Sequence, residues 1–222
     1  MRKLDTPIGI SGIAAYIPPY RVWLNDWCEW TNNQWPKIRE VVGRSFRLRG
    51  NQHSVYTMAA TAVIRLIDQY NIDPTKVKFL ALGTESSTDN SAGAIIIKGM
   101  INEALISQNK PPISRSCEVP EFKHACLGGV YAMKGAIRQI AVDGNGGQAI
   151  VVCADIAEYP LGSSGEPTQG AGAVAMLVEE NPKLLEVDIL NSGTASDYRI
   201  LDFRKPMKRF CHQDRNMNQQ VQ

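Results

Sequence analysis

No stretch of this chain is long and apolar enough to cross a bilayer, and the opening Met1-Arg2-Lys3-Leu4-Asp5-Thr6-Pro7 lacks the apolar core of a secretory signal. A cytoplasmic protein without a membrane partner is expected. The five cysteines, at 28, 117, 126, 153 and 211, are odd in number and show no paired metal-ligand spacing. That pattern argues against both a disulfide framework and a zinc site. Excess charge is missing too: a formal net charge of +2 is too small to make nucleic acid a default partner. Histidine is scarce, with only His53, His124 and His212. An acid–base site built on imidazole therefore has few candidates.

What is present is ordinary globular material. With 222 residues, 44% hydrophobic and 21% charged, the chain can bury a large core. Apolar runs of strand length alternate with segments of helical period, which indicates an α/β fold with a mixed sheet and flanking helices. Strands are expected at 8–17, 77–82, 148–154, 171–179 and 184–191, with a short extended piece at 117–122. Val55, Met58, Ala59, Ala62, Val63, Leu66, Ile67 and Tyr70 recur at three- and four-residue steps, an amphipathic helix stopped by Asn71 and Asp73-Pro74. Further helices are expected at 92–106 and at 126–142, the latter packing Val130, Met133, Ile137 and Ile140 and ending in Asp143-Gly144-Asn145-Gly146-Gly147. A poorly defined helical region spans 22–48. Its Trp23, Trp27, Trp30 and Trp35 read as either core or loop cover.

The segment Ala125-Cys126-Leu127-Gly128-Gly129 places a thiol where an extended stretch meets a helix. Unpaired amides and the positive end of the helix dipole favour a thiolate there, and a thiolate is what acyl transfer from a thioester requires. The two glycines would let an acyl group approach the backbone. The plainer reading is a packed cysteine, since this residue type is often buried. Other features weigh on the choice. Phe79 to Leu82 read as a buried strand leading to Gly83-Thr84-Glu85, so a carboxylate stands at its end. The run Ala149 to Asp155 is a second apolar strand. Glu166-Pro167-Thr168-Gln169-Gly170-Ala171-Gly172 is a loop running into a third.

Taken in order, these segments resemble 3-hydroxy-3-methylglutaryl-CoA synthase, a family of the thiolase superfamily. The resemblance rests on Gly83-Thr84-Glu85, Ala125-Cys126-x-Gly128-Gly129, Ala154-Asp155-Ile156-Ala157 with Tyr159, Pro167-Thr168-Gln169-Gly170-Ala171-Gly172-Ala173-Val174-Ala175, and Asp202-Phe203-x-Lys205-Pro206. Gly12-Ile13-Ala14-Ala15-Tyr16-Ile17-Pro18 also looks like the superfamily's opening strand. The resemblance implies a thiolase-like layered fold, of which this chain carries one of two repeats, the amino-terminal half. Residues 1–206 are expected to form it. Residues 207–222, polar and without amphipathic period, are expected to be a disordered tail.

The same resemblance implies the chemistry. Cys126 would take acetyl from acetyl-CoA, Glu85 would remove a proton from the acetyl methyl, and acetoacetyl-CoA would be attacked to give 3-hydroxy-3-methylglutaryl-CoA. A carboxylate in an apolar pocket at a strand end would be a stronger base. The Cys126 amide would sit in the oxyanion hole. Thr168, and more weakly Ser164, would contact substrate, while Gly170 and Gly172 read as close-packing glycines. No metal or organic cofactor is implied. The expected partners are CoA thioesters or an acyl carrier protein, together with a homodimer mate or a complementary carboxyl-terminal half.

Histidine is where the pattern breaks, because the family draws its catalytic histidine from the second half. His53 reads as exposed. His124, two residues before Cys126 in an extended segment, would point to the same side. His212 follows the Asp202 motif too closely. Arg39, Arg44, Arg47 and Arg49, near Phe46, read as the solvated flank of a helix, better suited to a CoA phosphate than to RNA. Three readings stand: a synthase of mevalonate formation or polyketide β-branching, a ketoacyl synthase III-like enzyme, and a non-catalytic remnant or interaction subunit.

Overall fold

The computed structural model describes residue 4 and residues 6–197. The Asp202 to Pro206 motif, His212, Cys211, the boundary expected at 206 and the tail lie outside the described residues. The first compact unit runs to Leu190, and residues 191–197 of the second contain no helix or strand.

Among the described residues, six strands form one sheet in the order β5-β4-β6-β7-β1-β8. They are β1 (Ile8–Tyr16), β4 (Val77–Gly83), β5 (Glu121–Phe122), β6 (Gln148–Ala157), β7 (Gly170–Glu180) and β8 (Leu185–Glu186). The mixed character expected from the sequence is present: β4 runs parallel to β5 and β6, while β7 is antiparallel to β6 and to β1. Period-two alternation divides the strands between two cores. Leu80, Leu82, Ile150, Val152 and Ala154 face α3 (Val55–Tyr70) and α4 (Gly93–Ser107). Phe79, Ala81, Ala149 and Val151 face α5 (Gly128–Asp143).

Helix α3 is set by its ends and its apolar stripe. The Ser54 side chain accepts from the Thr57 amide while Thr57 Oγ1 accepts from the Ser54 amide, closing a capping box, and Asn71 at φ 49° ends the helix. Between them Met58, Val63 and Leu66 are fully buried, each contributing about 1.5–3 kcal/mol of transfer free energy.

Two expectations are corrected here. The region 22–48 is a small unit of β2 (Tyr20–Trp23), α1 (Leu24–Thr31), α2 (Trp35–Val41) and β3 (Ser45–Leu48), with β2 and β3 pairing as a second sheet. Trp27 is buried in its own core with Leu24, Cys28 and Phe46, whereas Trp30 is exposed. The strand expected at 184–191 shrinks to β8, an edge strand on β1. Val187 still donates to Ile8, but ladder pairing stops there. An edge strand has a partner on one side only, so its apolar run did not require a long ladder.

Candidate active site

Close backbone contact between β4 and α5 builds the site. A Cβ on Gly83 would lie 2.4 Å from the Gly129 nitrogen, and one on Gly128 would lie 2.6 Å from the Phe122 carbonyl oxygen. A Cβ on Gly129 would meet Cys153 Sγ at 2.5 Å. These glycines let the helix start sit directly on the strand ends.

Cys126 therefore lies in a turn bracketed by contacts to β4. Thr84 donates its amide to Phe122 O at 3.3 Å on the upstream side, and Gly128–Gly129 pack on Gly83 downstream. Glu85 is two residues beyond Gly83, so its loop and the Cys126 turn occupy the same end of the sheet. Both residues are exposed. The apolar surroundings expected around Glu85 are not supplied by the described residues.

The turn has a strained start. Ala125 adopts φ 38°, in the left-handed region that a Cβ disfavours by about 1–2 kcal/mol. Leu127 then donates to His124 O at 2.8 Å and Gly128 to Ala125 O at 3.3 Å. Ala125 thus breaks the extended segment between His124 and Cys126, which an isolated backbone bridge links. The His124 ring packs against Tyr131, with centroids 4.9 Å apart.

Asp155, at the carboxyl end of β6, organises the Glu85 loop. Its Oδ1 accepts from Thr84 Oγ1 at 3.0 Å, from the Glu85 amide at 2.9 Å and from Ser86 Oγ at 2.7 Å. One carboxylate oxygen thus fixes the backbone of the residue that bears the candidate base. The sequence marked Asp155 only as part of a motif; its place at a strand end, outside the buried run, was the available signal. Asp89, farther along the loop, accepts from the Ala92 amide at 2.5 Å and from the Tyr56 hydroxyl. Burial opposes charge on Asp89, yet hydrogen bonds from Tyr56 and Ala92, with Lys123 nearby, hold its carboxyl below the usual range.

Thr168 and Ser164 lie in the loop between β6 and β7, and both are exposed. Thr168 Oγ1 donates to Gly165 O at 2.7 Å, and the loop closes where Gly170 pairs with Ala157. That puts them at the Glu85 end of the sheet. Gly170 and Gly172 were expected to serve close packing, but a Cβ there would find ordinary distances of 3.9 and 3.5 Å.

The remaining candidates are dispersed. His53 is half-buried rather than exposed: its Nδ1 accepts from the Gly50 amide at 3.2 Å, leaving Nε2 for the Tyr16 hydroxyl at 2.7 Å. The four arginines do not flank one helix. Arg39 is in α2, Arg47 in β3 donates to the carbonyls of Pro18 and Pro19, and Arg49 pairs with Glu158 at 2.8 Å. On α5, Val130 is exposed rather than packed, and Ala132, Ala136, Ile137 and Ile140 are the buried residues. Among the described residues no group of three His, Cys, Asp or Glu is arranged to hold a metal, and no helix is long and apolar enough to cross a membrane.

Known proteins resemble this chain in sequence and fold. The family described as "Hydroxymethylglutaryl-coenzyme A synthase N terminal" matches residues 5–183. The hydroxymethylglutaryl-CoA synthase of Enterococcus faecalis is 32% identical over 200 residues, covering 90% of this chain and 49% of that protein. The solved structure of MvaS in complex with 3-hydroxy-3-methylglutaryl coenzyme A superposes with a TM-score of 0.76 at 34% identity, covering 83% of this chain and 43% of that one. The curacin pathway HMG synthase, solved with holo donor-ACP, shares the fold at 22% identity and a TM-score of 0.71, covering 82% of this chain and 43% of that one. The chain thus spans about half the length of the relatives it matches. With a thiolase-like mixed sheet, and matched over most of its length to the amino-terminal part of these enzymes, the chain belongs to the hydroxymethylglutaryl-CoA synthase family.

Proposed function

We propose that this chain is the nucleophile- and base-bearing half of a synthase that condenses acetyl-CoA with acetoacetyl-CoA through an acetyl-Cys126 intermediate. The Cys126 sulfur attacks the thioester carbonyl and coenzyme A leaves as its thiol, dividing a hard carbon–carbon condensation into easier steps. The Cys126 amide stabilises the oxyanion. Glu85 then takes a proton from the acetyl methyl, the resulting carbanion attacks the ketone of acetoacetyl-CoA, and water cleaves the enzyme thioester to release 3-hydroxy-3-methylglutaryl-CoA. Thr168 and Ser164 contact substrate at the rim. Carbon, proton and thiol transfers balance without an electron carrier, so the reading calls for CoA thioesters and no resident cofactor.

The observation that carries this reading is the seating of Gly83 on Gly128–Gly129, which brings the Glu85 loop and the Cys126 turn to one end of the sheet. Both side chains remain exposed, and His53 and His124 are engaged by Tyr16 and Tyr131. A carboxyl-terminal half, in the same or another polypeptide, or a second copy would supply the cover and the histidine. The place of action is the cytoplasm. The donor is acetyl-CoA, as in mevalonate formation, or an acyl carrier protein, as in polyketide β-branching.

Condensation assayed with the complementary half separates the readings. Glu85→Gln should abolish product while leaving Cys126 able to accept acetyl. A ketoacyl synthase III-like mechanism, which has no use for Glu85, predicts normal condensation in that variant.

A second reading is an interaction subunit. It is favoured by the apolar side chains exposed around the start of α5, where Leu127, Val130 and Tyr131 are 47%, 52% and 37% exposed. That reading predicts stable association with a partner and no acetylation of Cys126.

A further inference from the structure

The loop between β4 and α4, residues 84–92, is held from two sides. Asp155 holds it from β6. The other grip comes from the segment that leads into Cys126. Glu121 Oε1 accepts from Ser87 Oγ at 2.5 Å, and its Oε2 accepts from the Gly93 amide at 2.6 Å. The carboxylate therefore spans the middle of the loop and the first residue of α4, where unpaired amides favour an anion. A Cβ on Gly93 would lie 2.7 Å from that oxygen, so this approach requires glycine. Lys123 Nζ donates to Ser87 O at 2.6 Å and to Asp89 O at 3.4 Å. Glu121 and Lys123 are two apart along an extended strand end, which places both on one face.

We propose that Glu121 and Lys123 are positioning residues that tie the Glu85 loop to the Cys126 turn and so fix the carboxylate relative to an acyl group on the sulfur. The inference rests on the roles given above to Cys126 and Glu85. Neither clamp residue touches the reacting atoms. Lys123 is exposed, so its contribution to global stability is small. Its geometric effect is larger. It stands three residues before the nucleophile and bonds two carbonyls of the loop bearing the base, and proton abstraction is lost when the base leaves hydrogen-bond reach.

The test uses the full chain and acetyl-CoA in deuterated buffer. Glu85 removes a methyl proton from acetyl-Cys126, exchanges it with solvent and returns a deuteron; after an acid quench and return to ordinary water, which strips deuterium from nitrogen and oxygen but not from carbon, the intact mass of the adduct reads both acetylation and methyl deuteration. Glu85→Gln sets the background. Lys123→Met is expected to slow deuteration about tenfold or more while slowing acetylation about threefold or less, with partial rescue by Lys123→Arg and an intermediate effect of Glu121→Gln. Lys110→Met, which removes a surface ion pair with Asp68, should change neither rate. A merely structural role would lower both rates together. An unchanged ratio of deuteration to acetylation in Lys123→Met would overturn the clamp. No adduct on the parent chain would instead contradict the condensing-enzyme reading. Amide exchange of residues 84–92 without acetyl-CoA is a second measurement: faster exchange in Lys123→Met is expected, and unchanged protection would overturn the clamp whatever the acetylation result.

Discussion

Helices α3 and α5 have 16 residues each and cover opposite faces of one sheet, yet they are built on different principles. Helix α3 starts with a capping box and buries Met58, Val63, Leu66 and Ile67 against large strand residues. Helix α5 has at its N-cap Leu127, which has no side-chain oxygen to cap it, and buries mainly small residues such as Ala132 and Ala136. It gains its position from glycine contacts with β4 and β6. One helix is scaffold. The other trades buried volume for closeness, and closeness is what the candidate chemistry needs.

The sharpest way to separate the two is to truncate the scaffold. Leu66→Ala should cost about 2–5 kcal/mol by denaturant unfolding, because its side chain is fully buried, and should leave acetyl transfer unchanged wherever the variant is folded. Gly83→Ala should show the opposite balance. Its Cβ would overlap the Gly129 nitrogen, so α5 must move, with an expected loss of about 1–3 kcal/mol. Acetylation by acetyl-CoA should fall about a hundredfold, since the Cys126 turn moves with the helix.

The thiols on either side of this divide should differ as well. Burial pushes the Cys117 thiol from an ordinary 9.0 up to about 11. Burial, with the Asp155 charge adding to it, raises Cys153. A group whose folded value is raised contributes stability fully present below its unfolded value and lost as pH rises through the folded one. Stability should therefore decline between about pH 9 and pH 11, and Cys117→Ser should reduce that alkaline slope. Timed alkylation followed by peptide mass mapping should find exposed Cys126 modified before buried Cys28 and Cys117. The smallest effect concerns the apolar side chains exposed around the start of α5. Val130→Ser should change the stability of the chain by about 0.5 kcal/mol or less, yet weaken association with a complementary half measured by light scattering.

Much of this is legible in the sequence alone. The three-and-four spacing of Val55 to Tyr70 marks α3 because burial selects its face directly, and the apolar runs at 77–82 and 148–154 mark strands for the same reason. The placement of Cys126 and Glu85 at an extended-to-helical junction and a strand end was also readable. Less visible were effects that depend on distant partners. Val130 shares a stripe of α5 with fully buried Ile137, seven residues on, yet it is 52% exposed, since helical spacing fixes the side of the helix and not how far its neighbours cover it. The four arginines are close in sequence but do not share one helix, because Arg39 is in α2, Arg47 is in β3, and Arg44 and Arg49 lie just outside β3. The positive φ of Ala125, between His124 and Cys126, gave no sign in the sequence. Glu121 and Lys123 gave no local signal, because their partners are more than thirty residues upstream or in the first turn of α4.

The central claim is that the turn held against Gly83 presents a working nucleophile. Intact mass measurement of the chain after incubation with acetyl-CoA, beside its Cys126→Ala variant, tests it most directly. A single acetyl group on the parent chain and none on the variant is the predicted result. An unmodified parent chain, or an acetyl group that persists without Cys126, would contradict it.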